Sequence, residues 1–151
     1  MKTKFHASKM LVALGLVLLF AAGCATTQSI PVTDRTYTFD ADYDAVFGAT
    51  ARVLVADGYV LKTIDRDVGL IDTDYKHRSG FTLKGKQRRK VNALLIVVGT
   101  ATRLTFTMAV EQPNDEGDWQ SVPFTTDAAL KYYDELFEKI GDELPTEVGT
   151  Y

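Results

Sequence analysis

Hydrophobic and polar positions alternate along this chain with two different periods, and each switch of period marks a new element. Residues 35–40 alternate with period two, Tyr37 and Phe39 on one face and Thr36 and Thr38 on the other, which predicts a strand. Asp40 then stands where a helix N-cap would, and Asp42 and Asp44 suit the positive end of a helix. Tyr43, Val46, Phe47, Thr50, Val53 and Leu54 follow at helical spacing, and Asp57-Gly58 closes the helix. Residues 59–64 and 70–75 predict two strands joined by the turn Asp65-Arg66-Asp67-Val68-Gly69. In the second of them Ile71, Thr73 and Tyr75 share one face, and Asp72 and Asp74 the other.

Residues 76–90 are polar and basic, and predict a loop followed by the start of another strand. Residues 91–98 are the most apolar stretch of the body of the chain. Gly99-Thr100 interrupts them, and residues 102–111 resume with Leu104, Phe106, Met108 and Val110 on one side, so the two runs predict a long hairpin. In its first arm Val91, Ala93, Leu95 and Val97 are expected to fill the core, leaving Leu94, Ile96 and Val98 on the outer face of the sheet. Residues 113–123 read as a surface loop. A final helix begins near Thr125-Thr126-Asp127, buries Ala129, Tyr133, Leu136, Phe137, Ile140 and Leu144, and stops at Pro145. The order is β-α-β-β-β-β-α. It predicts an α+β two-layer sandwich, an antiparallel sheet of about four to five strands with two helices on one face.

The N-terminal stretch has another layout. Lys2, Lys4 and Lys9 precede an unbroken apolar or glycine run over residues 10–22. That run is shorter than the ~20 residues needed to span a bilayer, so it reads as a secretory signal. It ends in Ala21-Ala22-Gly23-Cys24, which resembles the bacterial lipobox, and Cys24 is the only cysteine. The resemblance implies cleavage between Gly23 and Cys24 and acylation of Cys24, with a covalent lipid as the only prosthetic group. Ala25, where an aspartate would signal retention at the inner membrane, implies the outer membrane, with the body of the protein facing the periplasm. The division expected is a signal over 1–23, a lipidated tether over 24–34, one domain over 35–145 and a short tail over 146–151.

Charge narrows the partners. The mature part holds all 20 acidic residues against 14 basic ones, a net −6, and such an acidic body argues against nucleic-acid binding. With Cys24 acylated no thiol remains for a disulfide or a nucleophile. His77 is the one histidine outside the signal, flanked by Lys76 and Arg78 and expected in a solvated loop. Ser29, Ser79 and Ser121 form no triad pattern with it, so no catalytic residues are expected and the chain reads as a non-enzyme. Asp65, Asp67, Asp72 and Asp74 miss the calcium-loop pattern, because Leu70 and Lys76 occupy the sixth and twelfth places; no metal is expected.

Two features point to contacts. Lys84, Lys86, Arg88, Arg89 and Lys90 concentrate positive charge, either as a solvated guard of the apolar strand or as a contact for anionic surfaces. Leu94, Ile96 and Val98, with Trp119 in its acidic loop, form a candidate partner surface. The phrasing of Phe39-Asp40 through Val46-Phe47 to Gly58-Tyr59 resembles the small periplasmic domains of BamC-type lipoproteins. That resemblance implies a helix-grip shape and an envelope protein partner of the barrel-assembly kind. The sequence thus predicts a lipid-anchored scaffold or binding module. Its rival is a carrier holding a small ligand or lipid between the sheet and the last helix.

Overall fold

The computed structural model describes residues 30–78, 86–123 and 125–145. A 3-10 turn at Thr33–Arg35 leads into β1 (Thr36–Phe39), helix α1 (Tyr43–Ala56), β2 (Leu61–Asp65), β3 (Leu70–Thr73), β4 (Lys76–Arg78), β5 (Gln87–Val98), β6 (Ala101–Pro113), β7 (Trp119–Ser121) and helix α2 (Thr126–Asp142). The strands form one antiparallel sheet in the order β1-β6-β5-β3-β2, with β4 added to β5 and β7 to β6. The α+β architecture and the element order are those predicted. The expected signal, Cys24 and the first part of the expected tether lie outside the described residues. From Ile30 the chain already packs against the core. Among the described residues no helix is long and apolar enough to cross a membrane.

The sheet has seven strands among the described residues, not four or five. Both extra strands come from segments that read as loops, because Lys76-His77-Arg78 and Trp119-Gln120-Ser121 carry no apolar alternation. They form because β5 and β6 run past their other neighbours and offer these segments unpaired backbone groups. The basic run is accordingly strand rather than loop: Arg88, Arg89 and Lys90 all lie in β5.

Helix α1 is capped by Asp42 rather than Asp40: the Asp42 side chain accepts the Ala45 N–H at 2.9 Å. Of its predicted stripe Val46, Phe47, Thr50, Val53 and Leu54 are buried, joined by Ala49, while Tyr43 is half-buried. Helix α2 buries the predicted Ala129, Tyr133, Leu136, Phe137 and Ile140 plus Tyr132, which lies i+3 from Ala129 on the same face; Leu144, past the end of the helix, is only half-buried. Between α2 and the sheet the Phe106 ring stacks on Tyr133 with centroids 6.3 Å apart and meets Phe137 at 5.3 Å. All three rings are buried, so aromatic carbon fills the space between helix and sheet.

The hairpin closes where predicted, with Val98 opposite Ala101. Gly99 takes φ +65° in the first central position, the place a type II′ turn gives to glycine. Val91, Ala93 and Leu95 are buried as expected, but Val97 is not a core residue: it is 64% exposed, because burial of β5 by the helical layer ends at Leu95. A second tight approach fixes the β2–β3 turn. Gly69, at φ +78°, accepts the Leu95 N–H through its carbonyl at 2.8 Å, and a Cβ there would lie 2.1 Å from the Leu95 oxygen.

Candidate functional site

The face of the sheet away from the helices is largely polar. The register places Thr36, Thr105 and Leu94 in one row across it, and Thr38, Arg103 and Ile96 in the next. Thr36 and Thr105 share a hydroxyl–hydroxyl bond of 2.9 Å, and Arg35 donates to the Thr107 hydroxyl at 2.6 Å. Asn92 on the same face keeps a buried side-chain oxygen with no hydrogen-bond partner among the described residues. Against this background the apolar end of β5 stands out. Leu94 and Ile96 are each 45% exposed, Val97 64% and Val98 37%.

That end of β5 is also a free edge. Strand β3 pairs with β5 over Asn92, Ala93 and Leu94, and the last bond on that flank is from Leu95 N–H to Gly69. No strand among the described residues pairs on that flank of Ile96, Val97 and Val98. Backbone groups alternate in direction along a strand, so Val97 N–H and C=O point to the side Leu95 N–H points to, away from β6. The result is one unpaired donor and acceptor between three apolar side chains. Tyr43, Arg66 and Val68 border the hollow beside it.

Trp119 is not part of this patch. It pairs with Pro113, while Ile96 pairs with Arg103, ten residues along β6 and roughly 33 Å away at ~3.3 Å per residue. Its surroundings are polar. The Arg88 guanidinium lies 4.3 Å from the Tyr75 ring and 4.4 Å from the Trp119 ring, held between the two. Glu111 accepts from Arg88 Nε at 2.7 Å and from the Tyr75 hydroxyl at 2.6 Å. The Tyr75 bond, then the Arg88 bond, holds the Glu111 carboxyl below its ordinary value. His77, on β4 rather than in a loop, meets the Trp119 edge at 5.6 Å.

A second cluster lies on the helix side. Asp57, just past α1, is only 16% exposed at its side chain. Tyr132 donates to it at 2.7 Å, and Lys76, Arg89 and Lys139 approach within 3.4, 3.5 and 3.5 Å. Tyr59 completes the chain through a 3.0 Å bond to Tyr132, and Arg89 lies 4.2 Å over the Tyr132 ring. Burial raises the Asp57 pKa, but the Tyr132 bond and the three cations outweigh it, so the carboxyl sits below its ordinary value. Burial, then the bond with Tyr59, pushes the Tyr132 hydroxyl far up, so it serves as a fixed donor.

The basic run thus divides. Lys84 falls outside the described residues and Lys86 is exposed ahead of β5. Arg88 turns to Glu111, Arg89 to Asp57, and Lys90 to Asp72 at 3.8 Å. The sequence pattern marks Asp57 only as a helix terminator, and does not single out Tyr75, Tyr132 or Glu111 as site residues. Glu111 carries a usable signal: reflection about Gly99-Thr100 places it opposite Arg88. The Asp57 cluster carries none, since its members come from distant elements. Among the described residues no group of three potential ligands sits close enough to hold a metal.

No protein-family model matches the chain, and no curated protein matches it.

Proposed function

We propose that this protein is a lipid-anchored, periplasm-facing binding module of the outer membrane that docks an extended segment of an envelope protein along the free edge of β5. The observation that carries this reading is that edge: an unpaired Val97 N–H and C=O flanked by exposed Leu94, Ile96, Val97 and Val98. Exposed edges invite strand addition, and proteins commonly blunt them with charge, proline or bulges. Lys62 and a register shift between Leu61 and Thr63 blunt β2, whereas residues 96–98 carry no such device. A partner strand added there gains main-chain hydrogen bonds, and the alternating valine and isoleucine side chains supply apolar contact on both faces.

The anchor fits this role. Five residues lie between Cys24 and Ile30, which packs on the core, and the six steps from Cα to Cα span at most about 21 Å. Acyl chains on Cys24 would keep the domain close to the membrane surface, where envelope assembly complexes of the barrel-assembly kind present their periplasmic parts. The packed rings of Phe106, Tyr133 and Phe137 favour this reading over the carrier, which needs a hollow under α2.

The test is crosslinked pull-down of the native lipidated protein from envelope membranes, read by mass spectrometry, with Cys24→Ser as the mislocalised control. Val97→Pro removes the edge donor but no β6 bond. Loss of a reproducible partner in Val97→Pro and in Leu94→Asp/Ile96→Asp, with unchanged circular dichroism, supports edge docking. A partner retained by both folded variants refutes it.

A further inference from the structure

A cavity of about 340 Å³ opens beside the β4–β5 pairing, lined by Lys76, His77, Arg78, Gln87, Arg88, Arg89 and Val110. Lys76, Arg78 and Arg89 share one face of the β4–β5 pair and bring three fixed positive charges to it, whereas Arg88 turns its guanidinium to the other face; no carboxylate is among the described lining residues. This concentration is set in a body of net negative charge. The nearby carboxylates do not neutralise it. Asp57 is shared by Lys76, Arg89 and Lys139, so one negative charge faces three positive ones. Arg89 reaches Asp57 only through Nη2, and Arg78 makes no ion pair among the described residues.

The cations are also held in place before any ligand arrives. The Tyr132 ring supports Arg89, and the Asp57 carbonyl and Tyr59 ring hold Lys76. Fixed, partly desolvated guanidinium groups with spare donors bind phosphate oxygens by charge-assisted hydrogen bonds. The volume is at the lower end of the ~300–1,000 Å³ of small-molecule sites, which leaves room for a phosphate group together with a small esterified alcohol.

From these observations we infer that the cavity binds a small phosphate ester, either a soluble one or the headgroup of an anionic phospholipid. The inference stands independently of the β5 edge, which lies at the other end of the strand.

Calorimetry makes the test direct, because it needs no reporter group at the cavity. Native full-length protein in nonionic detergent is titrated in a calorimeter, in one arm with glycerol 3-phosphate and in the other with phosphatidylglycerol doped into the micelles. Glycerol is the uncharged control. A saturable change in the first arm identifies a soluble ester, and one confined to the second identifies a headgroup; either supports the site. Arg78→Ala is expected to weaken binding about tenfold, the loss of one charge-assisted hydrogen bond. Gln87→Glu, opposite Arg78 in the register, is expected to weaken it at least as much while giving Arg78 a partner that favours folding. Arg103→Ala, near the hairpin tip, should bind like the parent. No saturable change with either probe overturns the inference. So does equal weakening by Arg78→Ala and Arg103→Ala, which would mark general charge attraction.

Discussion

Gly69→Ala tests the junction that ends the β3 pairing and so leaves the edge of β5 free. Two separate costs arise. The residue sits at φ +78°, and holding an L-residue in left-handed backbone costs ~1–2 kcal/mol. The added Cβ would also lie 2.1 Å from the Leu95 carbonyl oxygen, so one of two backbones must move by more than an ångström to reach ordinary contact. Leu95 is a core residue of β5, and the move breaks its 2.8 Å bond to Gly69. Leaving that donor unpaired costs ~1–3 kcal/mol. The total expected is about 3–4 kcal/mol. Gly117→Ala is the matched control: it has φ +94° and open space around the new Cβ, so only the backbone cost of about 1 kcal/mol applies. Urea unfolding of parent and both variants, followed by circular dichroism, should separate the two by about 2 kcal/mol or more. At ~4–8 °C per kcal/mol, the corresponding gap in Tm is roughly 8 °C or more. Equal losses within about 0.5 kcal/mol would refute the close approach and the strand geometry built on it.

Four further outcomes follow from the same structure. Phe106→Ala removes the ring at the centre of the aromatic packing and should lower unfolding free energy by about 3–5 kcal/mol in a denaturant titration. Asp57→Asn leaves Lys76, Arg89 and Lys139 without their carboxylate and should cost roughly 2 kcal/mol, given partial burial. Because Asp57 is depressed below its ordinary 3.8, its contribution is complete above that pH and is lost only as pH falls further, so the stability difference between parent and Asp57→Asn should be flat above pH 3.8 and shrink below it. Trp119 emission should report Glu111: it should stay constant down to the ordinary 4.5, shift only below that as Arg88 and Tyr75 are released, and be shifted already at neutral pH in Glu111→Gln. Asn92→Thr removes an unpartnered buried oxygen from a position between Asp72 and Thr107 and should raise stability by about 1 kcal/mol, read as an increase in the urea midpoint.

What could be read from the chain was whatever repeats locally. The stripes Val46-Phe47-Thr50-Val53-Leu54 and Ala129-Tyr133-Leu136-Phe137-Ile140 follow from a turn of 3.6 residues, and the faces of β1, β5 and β6 from a period of two. Glycine at a two-residue loop set the hairpin and, by reflection, every pair along it from Arg88–Glu111 to Val98–Ala101. Other features depended on the distance between elements remote in sequence. Strands β4 and β7 exist because β5 and β6 overhang their neighbours, not because of their own residues. Leu95 and Val97 are equivalent in period, and only the reach of the helical layer separates buried Leu95 from exposed Val97. Asp57, Lys76, Arg89, Tyr132 and Lys139 meet through the end of one helix, two strands and the other helix. Periodicity is a property of neighbours along the chain, whereas a charge cluster or a free edge is a property of neighbours in space, and the packing of the two layers brings those together.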